Sequence, residues 1–491
     1  MLIPLSMMDI LIHIGVALHI VCMAGLVLFG CHRLWLLACW PKTTGEYPCV
    51  SALLNHPPRV TVQLPLYNES RVAARLIDAV ARIAWPAARI DIQVLDDSTD
   101  ETKDIVNERA AFWRDRGHAV RVIRRPSRRG YKAGALANGL RSARGQFIAV
   151  FDADFIPPPD FLEKTIPCFA DPGVGLVQTR WGFLNAGYSW LTRIQALLLS
   201  PHFYIEHNVR HRRGLFFNFN GTAGVWRKEA IESSGGWQAD TVTEDLDLSY
   251  RAQMAGWRFV YLDSVVVPSE LPVTLSGFRG QQQRWSKGSI QTARKILPVL
   301  FFSRLPVSVK IEAAVHLLAN FCWLFGFIAT LTLFPLIVFR VGIGPWQILT
   351  VDVPVFLLSG GAFLAYYCCF AFFSRQKSLL LMLPILPAFS IGLAPALSLS
   401  VVEGLFARGG YFNRTPKLGL VEKSRRKQTV VRESSPVIPI PLLVNLILLV
   451  YTIAPLAWAM ERQTWGALPF LLLFPLGFLL AIGKDLHEMI Q

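Results

Sequence analysis

The chain has 491 residues, 53% of them hydrophobic, and a formal net charge of +15. An ordinary soluble enzyme is excluded, because long apolar runs dominate 10–39 and 307–483, while only 59–300 has the charges and turns of a soluble domain. The positive charge is explained by basic residues that flank membrane segments and face anionic lipid, since no standard nucleic-acid-binding motif is visible. We therefore expect one soluble domain in a membrane frame, with no nucleic acid among its partners.

The N-terminal apolar run, Ile10 to Phe29, is long enough to cross the hydrocarbon core of a bilayer, which is roughly 30 Å thick. A cleaved signal peptide is the alternative, but Asp9 stands where its basic region would be, and no small-residue cleavage site clearly follows. Arg33 and Lys42 indicate that the C-terminal side of the run is cytoplasmic. We expect a retained anchor with the N-terminus outside.

Strand-like and helix-like segments alternate through residues 59–151. This alternation predicts an α/β domain with a parallel, doubly wound sheet. In such sheets, ligands bind beyond the C-terminal ends of the strands. The predicted strands are 59–66, 90–95, 119–123 and 146–151, and the predicted helices are 72–83, one that ends near 116, and one that opens at Gly130.

Two acidic residues, Asp152 and Asp154, directly follow the strand 146–151. In an extended chain their i, i+2 spacing directs both carboxylates to one face, where they need a cation or hydrogen bonds. We expect them to hold Mg²⁺ or Mn²⁺ beside the diphosphate of a sugar nucleotide, since the metal would offset the charge of the leaving group. The alternative is that both side chains merely cap the turn at 157–159.

Polar residues at the neighbouring strand ends complete this pocket. Asp97 suits contact with a nucleotide or ribose, and the Ser98-Thr99 pair beside it suits a helix cap. Lys132 lies between two glycines where a helix begins, so it can bind phosphate, although a solvated surface lysine is the alternative. Tyr67 and Glu69 suit stacking and hydrogen bonding with a nucleobase.

The second half of the soluble region contains candidates for catalysis and acceptor binding. Inverting sugar transfer requires a base for the acceptor hydroxyl, and we assign Asp245 of Thr243-Glu244-Asp245 to this role, with helix capping by the threonine as the alternative. Asp247 points elsewhere on a helix and is expected to be structural. Arg284 can bind a pyrophosphate with two N–H groups, and Trp285 offers a flat platform for a sugar ring. A membrane-interface pair is the alternative.

The C-terminal half contains several candidate membrane spans. The run 379–406 carries three prolines, which favour an interfacial or re-entrant segment over a straight span. The basic loop 407–436 is expected to be cytoplasmic, so an even number of spans separates it from the catalytic domain. We expect five spans and a cytoplasmic C-terminus, while the alternative makes 379–406 a full span or a hairpin. The expected spans are 10–29, 313–339, 353–373, 437–460 and 465–483, and 286–305 suits an amphipathic surface helix.

Four motifs occur in order: Asp-Asp-Ser at 96–98, Asp-x-Asp at 152–154, Thr-Glu-Asp at 243–245 and Gln-x-x-Arg-Trp at 281–285. Together they resemble the processive glycosyltransferase family 2, which includes cellulose synthase, hyaluronan synthase and the cellulose-synthase-like mannan and xyloglucan-backbone enzymes. The resemblance implies a GT-A catalytic domain (Rossmann-like, with a mostly parallel sheet) that faces the cytosol and performs an inverting β-transfer. The segment 217–237 is most similar to the mannan and xyloglucan-backbone group.

The resemblance also implies roles for these motifs: nucleotide, diphosphate and metal binding for the first two, the base for the third, and diphosphate and acceptor binding for the fourth. The stretch 412–417 resembles the gating-loop motif Phe-x-x-Thr-x-Lys, which closes over the nucleotide in cellulose synthase. The combined candidates are nucleotide-sugar-binding Tyr67, Glu69, Asp97, Lys132, Asp152, Gln281 and Arg284; acceptor-binding Gly221, Glu244 and Trp285; metal-binding Asp152 and Asp154; catalytic Asp245; and gating-loop Phe412, Thr415 and Lys417.

We therefore expect a membrane hexosyltransferase that extends the non-reducing end of a β-linked polysaccharide and threads the chain across the membrane. UDP-glucose is the first expected donor and GDP-mannose the second, because no identified residue separates uracil from guanine. The expected partners are the nucleotide sugar, a growing glycan or lipid acceptor and membrane lipids. The alternatives are a non-processive glycolipid synthase acting on ceramide or a polyprenyl phosphate, and a channel or transporter.

The expected location is a bacterial inner membrane, with the catalytic domain in the cytosol. The expected layout is an anchor at 1–45, the GT-A domain at 46–285, an interfacial helix at 286–310, transmembrane helices at 311–378, an interfacial or re-entrant segment at 379–406, a cytosolic gating loop at 407–436, and transmembrane helices with the C-terminus at 437–491.

Overall fold

The computed structural model describes residues 7–40, 56–333, 346, 350–351, 353–410, 415, 417–419 and 439–490. Most of the expected gating loop, including Phe412, lies outside the described residues.

A mixed sheet forms the centre of the soluble domain. Its strands are β1 (Val60–Leu66), β2 (Ile90–Asp96), β3 (Val120–Ile123), β4 (Phe147–Val150), β5 (Val174–Phe183), β6 (Gly224–Arg227) and β7 (Arg258–Ser269). Their order in the described sheet is β3-β2-β1-β4-β6-β5-β7. Strands β1 to β4 are parallel, and β6 runs antiparallel to β4 and β5. The expected mostly parallel α/β sheet is confirmed, with one antiparallel strand that the sequence did not predict.

Helices flank this sheet and bury both of its faces. Along β4, Phe147 and Ala149 enter one buried apolar cluster, while Ile148 and Val150 enter a second. Burial on both faces explains why the strands are continuous apolar runs rather than alternating ones. After α1 (Met7–Cys39), the helices of the domain are α2 (Ser70–Ala81), α3 (Thr102–Arg114), α4 (Tyr131–Arg141), α5 (Phe161–Thr165), α6 (Trp190–Pro201), α7 (Asn208–Arg212), α8 (Lys228–Ser233) and α9 (Glu244–Met254).

A long helix, α10 (Leu275–Phe302), connects the soluble domain to the apolar helices. It contains the whole Gln-x-x-Arg-Trp motif, so the expected boundary between 285 and 286 falls inside one continuous helix. The start of this long helix contacts two acidic residues near the end of the chain. The Glu488 carboxylate accepts hydrogen bonds from the backbone N–H groups of Leu275 and Ser276, where the helix dipole favours negative charge. Arg279 pairs with Asp485 at 2.8 Å, and both side chains are buried.

The remaining helices are predominantly apolar. Among the described residues, five helical stretches have the length and composition to cross a membrane: Ile10–Cys39, Val353–Phe373, Leu386–Phe406, Ile440–Glu461 and Trp465–Ile490. The expected span 313–339 is represented, as far as it is described, by two helices with a 55° bend between them. The run 379–406 contains a continuous helix despite Pro395, which has the length of the alternative full span. These helices are α11 (Val307–Leu318), α12 (Phe321–Leu331), α13 (Val353–Phe356), α14 (Ala362–Phe373), α15 (Leu386–Phe406), α16 (Ile440–Glu461) and α17 (Leu468–Ile490).

Candidate active site

An open cavity lies beyond the C-terminal ends of β1, β2 and β4. This is the end of a parallel sheet at which ligands bind. All of the predicted site residues that the structure describes line it: Tyr67, Glu69, Asp97, Lys132, Asp152, Asp154, Gly221, Glu244, Asp245, Gln281, Arg284, Trp285, Thr415 and Lys417. The structure thus brings together motifs that are far apart in the chain.

The two aspartates after β4 each contact a different lysine. The Asp152 carboxylate lies 2.5 Å from Lys132 Nζ, and its backbone N–H donates to Thr222 Oγ1 at 2.9 Å. The Asp154 carboxylate accepts from Lys417 Nζ at 2.8 Å and from the backbone N–H of Glu270 at 3.1 Å. The side chains are therefore oriented by the cavity rather than by the proline turn.

Lys132 is not the solvated surface lysine of the alternative interpretation. Its side chain is only 14% exposed, and its ammonium donates to the carbonyl of Gly221 at 2.9 Å as well as contacting Asp152. Burial alone would lower the pKa of Lys132, but the carboxylates of Asp152, Glu244 and Asp245 outweigh burial and raise it. Lys132 therefore stays cationic and partly balances three nearby acids.

Glu244 and Asp245 form the first turn of α9. Thr243 precedes the helix but makes no side-chain capping bond, so the capping alternative is wrong. Burial raises the pKa of Asp245, and Lys132 opposes this effect. Burial and the charge of Asp245 together raise the pKa of Glu244 to about 7, again against the attraction of Lys132. Both carboxyls therefore hold a proton more readily than exposed acids do, which is typical of groups used in acid–base chemistry.

Asp247 has the structural role expected for it. It is fully buried and pairs with Arg251 at 2.7 Å and with Lys295 at 2.9 Å. Neither contact faces the cavity, and Asp247 does not line it.

Gly221 lies against Asp245 in a left-handed conformation, with φ of +80°, and a Cβ there would be 2.8 Å from Asp245 Oδ2. Gly221→Ala should therefore displace the carboxylate and lower transfer at least tenfold, besides costing about 1–2 kcal/mol of stability for the left-handed backbone. Gly214→Ala is the matched control, since Gly214 has φ of +65° but nothing within 4 Å of its Cβ. Thermal melts and transfer rates separate the two effects. Equal activity losses in both variants would contradict the contact with Asp245.

Two arginines that the sequence analysis missed contact Asp97 and Tyr67 in the wall of the cavity. Arg125 binds Asp97 through two N–H groups, Nε to Oδ1 at 3.0 Å and Nη2 to Oδ2. Arg128 lies over the ring of Tyr67, with Cζ 3.3 Å from the ring centre. One face of the expected base-stacking ring is therefore covered. Their position in the sequence could have identified them, because both arginines follow the C-terminal end of β3.

The expected capping by Ser98 or Thr99 is wrong. Ser98 Oγ accepts from the backbone N–H of Asn68 at 2.9 Å, and the backbone N–H of Thr99 donates to Asn68 Oδ1 at 2.8 Å. The side chain of Asp100 instead accepts from the N–H of Thr102 at the start of α3. These contacts tie the loop after β1 to the loop after β2 and fix the wall that contains Tyr67.

Gln281, Arg284 and Trp285 share one face of α10, at the i, i+3 and i+4 positions. Burial lowers the pKa of Arg284, although the nearby carboxylates of Glu244, Asp152 and Asp245 act in the opposite direction. One turn further along the same face, a Cβ on Gly288 would lie only 2.4 Å from Thr243 Cγ2. Close packing at this glycine therefore holds the Arg284 face of α10 against the start of α9.

Glu270 is a further cavity residue that the sequence analysis missed. It follows β7, and its carboxylate accepts from the backbone N–H groups of Leu418 at 2.8 Å and Gly419 at 3.0 Å. Its carbonyl accepts from Lys417 Nζ at 2.8 Å. Burial raises the pKa of this carboxyl, while its bonds to the 417–419 segment oppose the rise. The segment is thus fixed directly beside Asp154.

These observations define a class of protein: a GT-A glycosyltransferase domain with acidic and basic groups around one cavity at the strand ends, joined to apolar helices. Residues 57–288 match the family described as Glycosyltransferase like family 2, and this part of the chain belongs to that family.

Known proteins support this assignment. Glucomannan 4-beta-mannosyltransferase 7 from Arabidopsis thaliana is 45% identical over 262 residues, which cover 52% of this chain and 47% of the relative. Probable glucomannan 4-beta-mannosyltransferase 6 from Oryza sativa subsp. japonica is 42% identical over 315 residues, covering 61% and 54%. The chain spans about half the length of the curated relatives it matches.

A solved structure shares the fold. The mannosyltransferase PcManGT from Pyrobaculum calidifontis, in complex with GDP-Man and Mn²⁺, has a TM-score of 0.53 and 21% sequence identity. The match covers 81% of this chain and 99% of that chain.

Proposed function

We propose that this protein transfers mannose from GDP-mannose to the non-reducing end of a β-linked polysaccharide at a membrane. The observation that carries the proposal is the meeting of Glu244 and Asp245 with Lys132 and Asp152 in one cavity. The choice of mannose follows the names of the plant relatives, and it replaces UDP-glucose as the favoured donor. The apolar helices would carry the growing chain across the bilayer.

In this mechanism Asp245 is the general base. Its carboxylate takes the proton of the acceptor hydroxyl as that oxygen bonds to the anomeric carbon of mannose. The bond between this carbon and the diphosphate oxygen breaks, and GDP leaves with the bonding electrons. A single displacement of this kind inverts the anomeric configuration. The raised pKa of Asp245 makes its carboxylate a stronger base than an exposed aspartate.

The leaving diphosphate would lie between the cationic groups of the cavity. Arg284 can donate two N–H groups to it, and Lys417 lies close to Asp154 on the other side. Trp285 would support the acceptor sugar, with Gln281 on the same helix face. Gly221 and Glu244 would border the acceptor, and Thr415 lines the same cavity.

The residues present fit Mg²⁺ or Mn²⁺ held jointly with phosphate. The described residues contain no cluster of three or more His, Cys, Asp or Glu suited to a metal. Asp152 and Asp154 supply two carboxylates in the cavity, and Mg²⁺ typically binds one or two carboxylates together with substrate phosphates. The ion would offset the charge that develops on the departing diphosphate.

The rate constant kcat/KM should rise with pH. Burial raises the pKa of Asp245, so the acid limb of the profile should lie above the usual range of an exposed aspartate. The value of kcat/KM rises with pH because a base acts only when it is deprotonated. The charge of Asp245 helps raise the pKa of Glu244, so Asp245 ionises first and Glu244 is still neutral when it does. Glu244→Gln should therefore leave the acid limb in place. Profiles of both proteins test this, and a limb that moves in Glu244→Gln would contradict Asp245 as the group that sets it.

The catalytic domain would face the cytosol, where nucleotide sugars are available. The five membrane-length helices support an integral membrane protein. The named curated relatives are plant proteins and give no support to the expected bacterial inner membrane.

A donor panel tests the proposed function. The purified full-length protein in lipid nanodiscs is incubated with Mg²⁺ or Mn²⁺ and radiolabelled GDP-mannose, UDP-glucose or other sugar nucleotides. We expect label from GDP-mannose in a polymer that resists organic extraction and that linkage analysis shows to be a mannan backbone. An organic-extractable product with one sugar would instead support the glycolipid synthase.

A further inference from the structure

Arg128 occupies a distinct position in the wall of the cavity. Its Cζ lies 3.3 Å from the centre of the Tyr67 ring and 5.0 Å from that of Tyr131. A guanidinium stacked on an aromatic ring is held by cation–π attraction. The two tyrosines therefore fix the guanidinium at the cavity surface.

Two cations near Arg128 pair with carboxylates. Arg125 binds Asp97, and Lys132 lies against Asp152. Within the part of the chain that the structure describes, no carboxylate pairs with Arg128. Stacking uses the flat face of a guanidinium and leaves its N–H edges for a ligand.

The chemistry of these edges distinguishes nucleobases. A guanidinium only donates hydrogen bonds, and it does so as a rigid fork. Guanine presents two neighbouring acceptors, O6 and N7, which match this fork. Uracil places an N–H donor between its two carbonyl oxygens, so the same fork gains one acceptor at most.

We propose that Arg128 determines nucleobase specificity by donating two hydrogen bonds to O6 and N7 of a guanine nucleotide. The proposal rests on the proposed function, since it takes the cavity to be the nucleotide-sugar site. It assigns the choice of donor to a residue outside the four sequence motifs.

Titration calorimetry with GDP and UDP, without acceptor, tests this on the full-length protein in nanodiscs. Arg128→Ala should weaken GDP binding about 10- to 100-fold, matching the 1–3 kcal/mol typical of a bidentate base contact, and UDP binding less than about threefold. Arg128→Lys should also lose most of the preference, because an ammonium lacks the fork. Arg129→Ala is the control, since Arg129 is exposed and does not line the cavity.

A modified nucleotide isolates the proposed contact. 7-Deaza-GDP lacks N7, so it should bind the wild type more weakly than GDP but bind Arg128→Ala as GDP does. Parallel losses of GDP and UDP in Arg128→Ala would show a phosphate contact and overturn the proposal, as would tighter binding of UDP than GDP to the wild type. Normal base discrimination without any mannosyl transfer would count against the proposed function alone.

Discussion

Asp245→Asn should lower mannosyl transfer by about a hundred- to ten-thousand-fold, the usual contribution of a general base. An amide has nearly the same shape as the carboxylate but cannot take the acceptor proton. GDP binding should persist, because the cationic groups proposed to hold the diphosphate, Arg284 and Lys417, are unchanged. Transfer is measured with labelled GDP-mannose, and GDP affinity by calorimetry on the same preparation.

Asp240→Asn is the matched control for this variant. Asp240 lies five residues upstream, is half-exposed, and pairs with Lys295 at 2.8 Å outside the cavity. Its replacement makes the same chemical change without altering the proposed base. Retained turnover in Asp245→Asn, or an equal loss in Asp240→Asn, would remove Asp245 as the base.

Lys132→Met should move the acid limb of the pH–rate profile to higher pH. The ammonium lowers the pKa of both Glu244 and Asp245, so its loss raises both values. An opposite charge at close range changes a carboxyl pKa by about 1–3 units, so kcat/KM on the acid limb should fall about tenfold or more. Because alkali removes the proton from the base again, part of the activity should return as the pH rises.

Lys164→Met is the control for this charge deletion. Lys164 forms an exposed i, i+4 pair with Asp160, and such pairs contribute little to stability. Its profile should match that of the wild type. A limb that stays in place in Lys132→Met would show that Lys132 does not set the proton affinity of the two acids.

The location of the site could be predicted because parallel strands end at one edge of a sheet. Asp97 and Asp152 line the same cavity for this reason, and Lys132 reaches Asp152 from the start of a helix. Glu270 was missed because β7 was not predicted, so its strand end was not visible. Arg128 was missed because its role depends on stacking over Tyr67, which sequence spacing does not encode.

Helix starts and helix continuity were harder to predict than the motifs. The sequence offers Ser98 and Thr99 as caps, but their contacts with Asn68 across two loops outcompete local capping. In α10 the face with Gln281, Arg284 and Trp285 is polar because it lines the cavity. The helical spacing of apolar residues is therefore visible in the sequence only after residue 285. The start is fixed by Glu488 from the far end of the chain, a contact that local patterns cannot reveal.

The anomeric configuration of the product tests the central claim most directly. The full-length protein in nanodiscs is supplied with GDP-α-mannose and Mn²⁺, and the bond formed is assigned by proton and carbon NMR. One base at Asp245 and a single displacement predict β-linked mannose with one GDP released per sugar transferred. An α-linked product would contradict this account, because it requires a second displacement for which the mechanism has no nucleophile.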